Sequence, residues 1–251
     1  MKGTVLVTGG ARRLGKTIAD ALRARGWNVI AASRTSLDAA FAVNLADPDG
    51  PARLFAAARA AAPDLCAVVN NAAIFSHDAD LPPDEAARLR AVNVDAPRAL
   101  TELLAAHGGG AVVNIVDCRA IGRDKRDLSM AVAASCDPPV AVAQERDPPC
   151  GDTQERDPPS GDTPYLRTKR ELLAATRADA IRLAGRVRVN AVAPGPVLPP
   201  EACHERAGAT PLGRHPTPQE VADAVAYLLS AESTTGAVIP VDGGQSLISE
   251  P

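Results

Sequence analysis

The chain has few aromatic residues, so the position of each one is informative. Aromatic side chains make up 2% of the 251 residues, and only two of them are tyrosines. The sequence also lacks any apolar run near the roughly 18 residues that a membrane-spanning helix requires. The apolar segment 4–7 near the N-terminus is too short for a signal peptide. We therefore expect a cytoplasmic protein with no membrane partner.

An excess of charge of either sign is absent as well. The formal net charge is -3 at pH 7, which gives no electrostatic reason to expect a nucleic-acid partner. The five cysteines and four histidines show no spacing typical of metal ligands. We expect free thiols, in keeping with a reducing compartment, and no metal site.

Apolar strand-like segments alternate along the chain with segments that carry apolar residues at helical spacing. Strands are predicted at 4–7, 28–32, 41–44, 67–70, 111–116, 187–192 and 237–240. Helices are predicted at 14–25, 51–61, 84–106, 165–184 and 217–229. Few residues separate the second and third strands, so a short loop is expected there. The pattern predicts a single α/β domain over residues 1–251, a doubly wound parallel sheet with helices on both faces.

Tyr165 and Lys169 lie four residues apart in a segment that is predicted to be helical. Residues at this spacing share one helix face, so the phenol and the ammonium group can meet in one site. A neighbouring cation stabilises a phenolate and lowers the pKa of the tyrosine toward the range that is useful for proton transfer. The alternative is a half-buried tyrosine with an exposed lysine one turn further on.

A glycine turn follows the first predicted strand. Thr8, Gly9 and Gly10 separate the apolar run 4–7 from a helical segment that begins near Leu14. Such a turn lets a pyrophosphate approach backbone N–H groups at the N-terminus of a helix. This position indicates a nucleotide site, although a plain glycine turn explains the same residues.

Several short motifs occur in the order and approximate spacing of one enzyme family. They are Thr8-Gly9-Gly10-Ala11-Arg12-Arg13-Leu14-Gly15, Asn70-Asn71-Ala72-Ala73, Asn93, Tyr165 with Lys169, Pro194-Gly195 and Val241-Asp242-Gly243-Gly244. On these residues the chain resembles the short-chain dehydrogenase/reductase family. The resemblance implies a single Rossmann-like domain that binds NAD or NADP and transfers a hydride to or from a small-molecule substrate. It also implies a homo-oligomer, either a dimer or a tetramer.

The end of the second predicted strand distinguishes the two cofactors. An NAD enzyme needs an acidic residue there for the ribose hydroxyls, whereas the 2'-phosphate of NADP needs a cation and small donors. This chain has Ser33, Arg34 and Thr35, and the next carboxylate is Asp38. NADP(H) is therefore the predicted cofactor, with Arg13 as a second cation near its phosphates. The alternative is that Arg34 is a solvated loop residue.

Two departures from the broad family favour one of its branches. Arg13 replaces a glycine of the first motif, and Asp117 stands where the family has a catalytic serine. Together with Phe75, these residues resemble the pteridine reductase and dihydromonapterin reductase branch. In that branch the Phe stacks on the pterin, the Arg lies near cofactor and substrate, and the Asp and Tyr supply protons. Alternatively, Phe75 belongs to the core and Asp117 caps a helix or turn.

The resemblance implies a role for each candidate residue. The catalytic set is Tyr165 as proton donor, Lys169 as its cation, Asn93 as the holder of a water, and Asp117 as second proton source or orienting group. The substrate contacts are Arg13, Phe75, Asp117 and Tyr165. The cofactor contacts are Gly9, Arg13, Leu14, Gly15, Ser33, Arg34, Thr35, Asn71, Ala72, Ala73, Tyr165, Lys169, Pro194 and Gly195.

These roles predict an NADPH-dependent reductase that acts on a dihydropterin. Within enzymes, the alternative is a carbonyl or 3-oxoacyl reductase with a substituted serine. Outside them, the alternative is a catalytically silent NADP-binding regulatory protein.

The resemblance fails in segment 119–163. The spacing between Asp117 and Tyr165 is far longer than the family spacing. A decapeptide that begins at Gln144 is repeated from Gln154, and the two copies differ only at Cys150 and Ser160. The prolines of the repeat lack backbone donors, and the repeat offers no apolar residues to bury. We expect a surface insertion, with a lid or partner-binding arm beside the site as the alternative.

Overall fold

The computed structural model describes residues 2–34, 41–76, 78–121, 163–197 and 210–248. Thr35, one of the predicted cofactor contacts, lies outside the described residues. Residues 122–162, which make up almost all of the predicted insertion, lie outside them as well.

The described residues form a seven-stranded sheet. Its strands are β1 (Thr4–Thr8), β2 (Asn28–Ser33), β3 (Phe41–Ala42), β4 (Leu65–Asn70), β5 (Gly110–Ile115), β6 (Val187–Pro194) and β7 (Val238–Val241). The spatial order is β3-β2-β1-β4-β5-β6-β7, and every neighbouring pair is parallel. The predicted strands are confirmed, with ends that shift by a residue or two. The direction of the crossovers reverses between β1 and β4, where doubly wound sheets bind their ligands.

The helices of the described residues cover both faces of this sheet. They are α1 (Arg13–Ala24), α2 (Gly50–Ala61), α3 (Pro83–Arg90), α4 (Ala96–Ala106), α5 (Pro164–Arg182), α6 (Pro218–Ser230) and α7 (Gln245–Ile248). Because these helices cover both faces of one sheet, the predicted single α/β unit is confirmed. None of them has both the length and the apolar character that crossing a membrane would need.

The core has two layers because side chains alternate along each strand. In β1, Val5 and Val7 contact the apolar residues of α1 and α6 on one face. Leu6 contacts those of α2 and α4 on the other face. All three side chains are fully buried, as expected for a parallel strand that is covered on both sides.

The long helix predicted at 84–106 is divided. Between α3 and α4, residues Ala91–Asp95 form a π-helical turn, in which the Ala96 N–H donates to the carbonyl of Ala91. Pro97 follows directly and has no N–H, so the carbonyl of Asn93 lacks its usual α-helical partner. The wider turn accommodates this missing bond, and the Asn93 amide donates to the Thr168 hydroxyl of α5 at 3.1 Å.

The start of α5 positions the predicted proton donor. The Thr163 hydroxyl accepts a hydrogen bond from the Leu166 N–H at 3.2 Å, and Pro164 has a fixed φ that suits the first turn. Tyr165 is consequently held in the first turn of α5, beside the segment that follows β5.

Candidate active site

The carboxyl ends of β1 and β4 are joined by side-chain hydrogen bonds at the switch point of the sheet. The Thr8 hydroxyl accepts from the N–H groups of Asn71 and Ala72 at 3.0 and 3.1 Å. The Asn71 amide donates to the carbonyls of Thr8 and Gly9 at 3.0 and 3.3 Å. These bonds fix the glycine turn against the residues that follow β4.

Close packing requires glycine at Gly15. A Cβ atom added there would lie 2.1 Å from the Gly9 carbonyl oxygen and 2.5 Å from the Asn71 amide nitrogen. Such distances are far inside van der Waals contact, so any side chain would push the turn away from α1. The glycine turn is therefore a packed structure whose backbone is exposed to a ligand on one side.

Arg13 has a left-handed backbone with φ of 50° and is the one non-glycine residue with positive φ in the described residues. Glycine adopts this conformation at no steric cost, whereas a residue with a Cβ pays about 1 kcal/mol or more. Despite this strain, Arg13 is the first residue of α1, and its guanidinium belongs to the N-terminus of that helix.

A cavity of about 330 Å³ opens above the glycine turn and the end of β2. It gathers most of the predicted cofactor contacts, namely Gly9, Arg13, Leu14, Gly15, Ser33, Arg34, Asn71, Ala72 and Ala73. Arg12 also lines it, although no role was predicted for this residue from the sequence. Among the described residues that line the cavity, three are arginines and none is acidic.

Pro194 and Gly195 lie apart from this cavity, at the end of β6. The Gly195 N–H donates to the Val241 carbonyl at 3.0 Å, and an added Cβ would lie 3.0 Å from the Cα of Asp242. Close packing against Asp242 thus explains why a glycine stands at position 195. The predicted contact of Gly195 with the cofactor stays a prediction.

Tyr165 and Lys169 lie on the inner side of α5, and both side chains are buried. The Lys169 ammonium donates to the Ile115 carbonyl at 2.9 Å and lies 5.7 Å from the centre of the Tyr165 ring. Lys169 is 3% exposed, which excludes the alternative of an exposed lysine beside a half-buried tyrosine. The i, i+4 spacing has brought the pair together as predicted.

Asp117 follows β5 and faces the phenol. The Tyr165 hydroxyl donates to Asp117 Oδ2 at 3.3 Å. Asp117 Oδ1 also accepts from the Arg119 N–H at 2.9 Å, at the start of a 3₁₀ turn over Cys118–Ala120. Asp117 therefore caps this turn, as one interpretation of the sequence predicts, and its role as a site residue stays a prediction that the contact with the phenol supports.

Arg119 also lies in the candidate site, although no role was predicted for it from the sequence. Its guanidinium donates to both oxygens of Asp117, from Nε to Oδ1 at 3.0 Å and from Nη2 to Oδ2 at 2.9 Å. The sequence does contain a signal for this ion pair, because Arg119 follows Asp117 by two positions. Arg119 is also the first residue of segment 119–163, which was predicted to be an insertion.

The charges of this cluster alter its proton affinities. Burial raises the pKa of Asp117, but hydrogen bonds and charge from Arg119 outweigh burial, and the pKa lies below its usual value. Burial lowers the pKa of Lys169 to about 8, against the opposing effect of Asp117. Asp117 is consequently an ionised carboxylate at neutral pH.

The pKa of Tyr165 differs from the expectation. Burial and the Asp117 carboxylate raise it well above the usual value of a tyrosine. The cation of Lys169 was predicted to lower this pKa, but Lys169 is itself desolvated and bonded to the Ile115 carbonyl. The hydroxyl therefore holds its proton firmly in this structure.

Phe75 flanks the tyrosine from the segment after β4, and Asn93 in the π turn is bonded to that segment. The Phe75 ring meets the Tyr165 ring edge to face, with centres 4.6 Å apart, and 51% of the residue is exposed. This exposure excludes a core role for Phe75. The Asn93 amide bonds to both backbone groups of Ile74 and to the Thr168 hydroxyl, and so ties α5 to the Phe75 segment.

Comparison with known families agrees with this geometry. Residues 3–120 match the family model described as short chain dehydrogenase. Residues 158–246 match the model described as Enoyl-(Acyl carrier protein) reductase. The two matches leave out residues 121–157, which lie within the predicted insertion.

Individual proteins show the same kinship. Galactitol 2-dehydrogenase (L-tagatose-forming) from Cereibacter sphaeroides is 32% identical, over 96% of this chain and 94% of that protein. The 3-oxoacyl-[acyl-carrier-protein] reductase FabG from Thermotoga maritima is 43% identical over 90 residues, but the match spans 37% of that protein. The crystal structure of FolM alternative dihydrofolate reductase 1 from Brucella canis, complexed with NADP, has a TM-score of 0.76. It is 29% identical over 99% of this chain and 96% of that chain. The chain belongs to the short-chain dehydrogenase/reductase family of oxidoreductases.

Proposed function

We propose that the chain is an NADPH-dependent reductase in which Tyr165 donates a proton to the substrate. The observation that carries the cofactor assignment is the charge of the cavity above the glycine turn. Three arginines, Arg12, Arg13 and Arg34, line it, and no described lining residue is acidic. NADPH carries one more phosphate than NADH, and this set of cations favours the more anionic cofactor.

The residues present fit such a cofactor. The N–H groups of the glycine turn would hold the pyrophosphate at the N-terminus of α1, and Ser33 and Arg34 at the end of β2 would hold the 2'-phosphate. The strained backbone of Arg13 supports the same assignment, because strain of this kind persists where a site requires it. When bound, NADPH would supply the hydride.

The chain's own side chains would supply and direct the proton. Tyr165 is buried beside Lys169 and Arg119, so two cations stand near the phenolate that forms when the proton leaves. Asn93 holds the segment that contains Phe75 against α5 and so fixes the position of Phe75 relative to Tyr165. Its predicted role as the holder of a water remains a prediction.

For the substrate, we propose a dihydropterin. Phe75 offers a half-exposed aromatic ring beside the phenol, and a flat heterocycle gains more from contact with such a ring than an aliphatic ketone does. The structural likeness to a FolM reductase supports this choice. The ionised state of Asp117 favours its role as an orienting acceptor for a ring or amino N–H over its role as a proton source.

A second candidate is a carbonyl or 3-oxoacyl reductase, in which Asp117 stays ionised. Reduction of a carbonyl group, like that of the C=N bond of a dihydropterin, needs one proton, and Tyr165 can donate it to the oxygen without a second proton source. The local similarity to a 3-oxoacyl reductase agrees with this alternative.

Oxidation of NADPH by the purified chain with a dihydropterin, with an acyl ketone and with neither separates the candidates. A faster reaction with the dihydropterin supports the pteridine assignment, and Phe75→Ala should then raise its KM. Tyr227→Ala, which removes an exposed aromatic ring on α6, is the matched control. Reaction with the ketone alone favours the second candidate, and no reaction with either substrate contradicts the proposed reductase activity.

A further inference from the structure

Apart from its charge near Tyr165, Arg119 has no role in the mechanism proposed so far, although its guanidinium is tightly held. Its Nε and Nη2 atoms donate to the two oxygens of Asp117 at 3.0 and 2.9 Å. The side chain of Asp117 is 13% exposed and that of Arg119 is 35% exposed. A two-point contact of this kind uses the planar fork of arginine and fixes the carboxylate in one orientation.

The oxygen that Arg119 contacts through Nη2 is also the acceptor of the Tyr165 hydroxyl. Asp117 Oδ2 lies 3.3 Å from this hydroxyl, so loss of the phenol proton would place two negative charges side by side. Such a neighbour opposes ionisation of the phenol. A proton donor next to an uncompensated carboxylate would therefore be a poor acid-base catalyst.

The described charged and titratable groups that face Tyr165 are few. Asp117, Cys118 and Arg119 approach from the segment after β5, and Lys169 lies on α5 itself. Phe75 contributes an uncharged ring from the segment after β4. The Lys169 ammonium donates to the Ile115 carbonyl and lies 5.7 Å from the centre of the Tyr165 ring. Arg119, in contrast, is hydrogen-bonded directly to Asp117.

We propose that Arg119 is a positioning residue that neutralises Asp117 and thereby allows Tyr165 to release its proton beside a carboxylate. The inference rests on the proposed role of Tyr165 as proton donor. Asp117 keeps the hydroxyl oriented through its hydrogen bond, and Arg119 offsets part of the electrostatic penalty that this orientation carries. The ion pair has no net charge, although its nearer member, the Asp117 carboxylate, still raises the pKa of the phenol.

The scarcity of tyrosine provides a direct test. The chain has two tyrosines, so in a Tyr227→Phe background the near-ultraviolet absorbance of phenolate reports Tyr165 alone. In this background Arg119→Met should raise the titration midpoint of Tyr165 by about one pH unit or more, the size expected for loss of a close cation. Arg119→Lys retains the charge and should keep the midpoint closer to that of the parent. Arg182→Met, which removes an arginine paired with Glu102 and Asp179, is the matched control and should leave the midpoint unchanged.

A second variant keeps the test decisive if Arg119→Met does not fold. Asp117→Asn in the same background removes the carboxylate charge, and the Tyr165 midpoint should fall. An unchanged midpoint in Asp117→Asn, or equal midpoints in Arg119→Met and its parent, would overturn the inference. Equal shifts in Arg119→Met and Arg119→Lys would overturn it too, because charge would then not be the cause.

Turnover separates this inference from the proposed function. With a substrate that the parent reduces, Arg119→Met should lower kcat about tenfold, and Arg119→Lys should restore most of it. The phenolate titration needs no substrate. If the midpoint shifts but none of the tested substrates leads to NADPH oxidation, the charge compensation is supported and the reductase proposal is contradicted. An unshifted midpoint in an active enzyme would overturn the charge compensation alone.

Discussion

Replacement of Lys169 by methionine should stabilise the folded chain at neutral pH while it abolishes turnover. Lys169 is 3% exposed, and burial lowers its pKa from 10.5 to about 8. A fall of this size corresponds to about 3 kcal/mol against the charged side chain in the folded state. Methionine keeps most of the apolar stem and carries no charge, so it avoids this penalty.

The loss of one hydrogen bond reduces the expected gain. The Lys169 ammonium donates to the Ile115 carbonyl at 2.9 Å, and removal of this bond costs about 1 kcal/mol. The net expectation is that Lys169→Met raises the free energy of unfolding by about 2 kcal/mol near pH 7. Stability gained by removal of a functional group is the usual trade-off at an active site.

The gain should depend on pH in a direction that follows from the lowered pKa. Below pH 8 the lysine is protonated in both states, so the penalty is fully present. Between about pH 8 and pH 10.5 the folded chain loses its proton first, the unfolded chain holds more protons, and wild-type stability rises. The advantage of the variant should therefore disappear near pH 10.

Urea denaturation followed by far-ultraviolet circular dichroism measures the difference in the free energy of unfolding between Lys169→Met and wild type, near pH 7 and near pH 10. Burial raises the pKa of Cys118 to about 12, which lowers stability above pH 9 in both proteins and cancels in their difference. Lys16→Met is the control, because Lys16 pairs with Asp20 on an exposed helix face and should change stability by less than about 1 kcal/mol. A variant that is less stable than wild type near pH 7, or a difference that is independent of pH, would refute the reasoning.

Three further results are expected. Tyr165→Phe removes the proton donor and leaves the cavity above the glycine turn intact, so turnover should fall by about 10² or more while NADPH still binds; near-normal turnover on a genuine substrate would contradict the mechanism. Direct titration should show that NADPH binds at least tenfold tighter than NADH, about 1.4 kcal/mol, and Arg34→Asp should reverse this order; equal affinities in the wild-type chain would contradict the cofactor assignment. Gly15→Ala would place a methyl group 2.1 Å from the Gly9 carbonyl oxygen, so the thermal midpoint and NADPH affinity should both fall, by about 1–3 kcal/mol in stability; an unchanged midpoint would show that the turn shifts freely.

Local sequence signals determined the elements of the fold. Apolar runs such as residues 4–7 and the helical spacing after Leu14 act within one strand or one helix, and the strands appear where these patterns predict them. The i, i+4 spacing of Tyr165 and Lys169 also fixes their shared helix face before any tertiary contact forms. The division of the helix predicted at 84–106 depended on Pro97, a local signal whose consequence was not drawn from the sequence.

Only the tertiary structure decided the electrostatics of the site. The distance between Asp117 and Tyr165 joins residues that are 48 positions apart, and no local pattern sets it. Burial lowers the pKa of Lys169 to about 8, and its ammonium group donates to the Ile115 carbonyl instead of to the phenol. Arg119 supplies a second cation near the phenol because the turn after β5 brings its guanidinium onto Asp117. Residue types and spacings thus determine which groups can meet, whereas desolvation and distance, which arise only when the chain is folded, determine the charge that each group carries there.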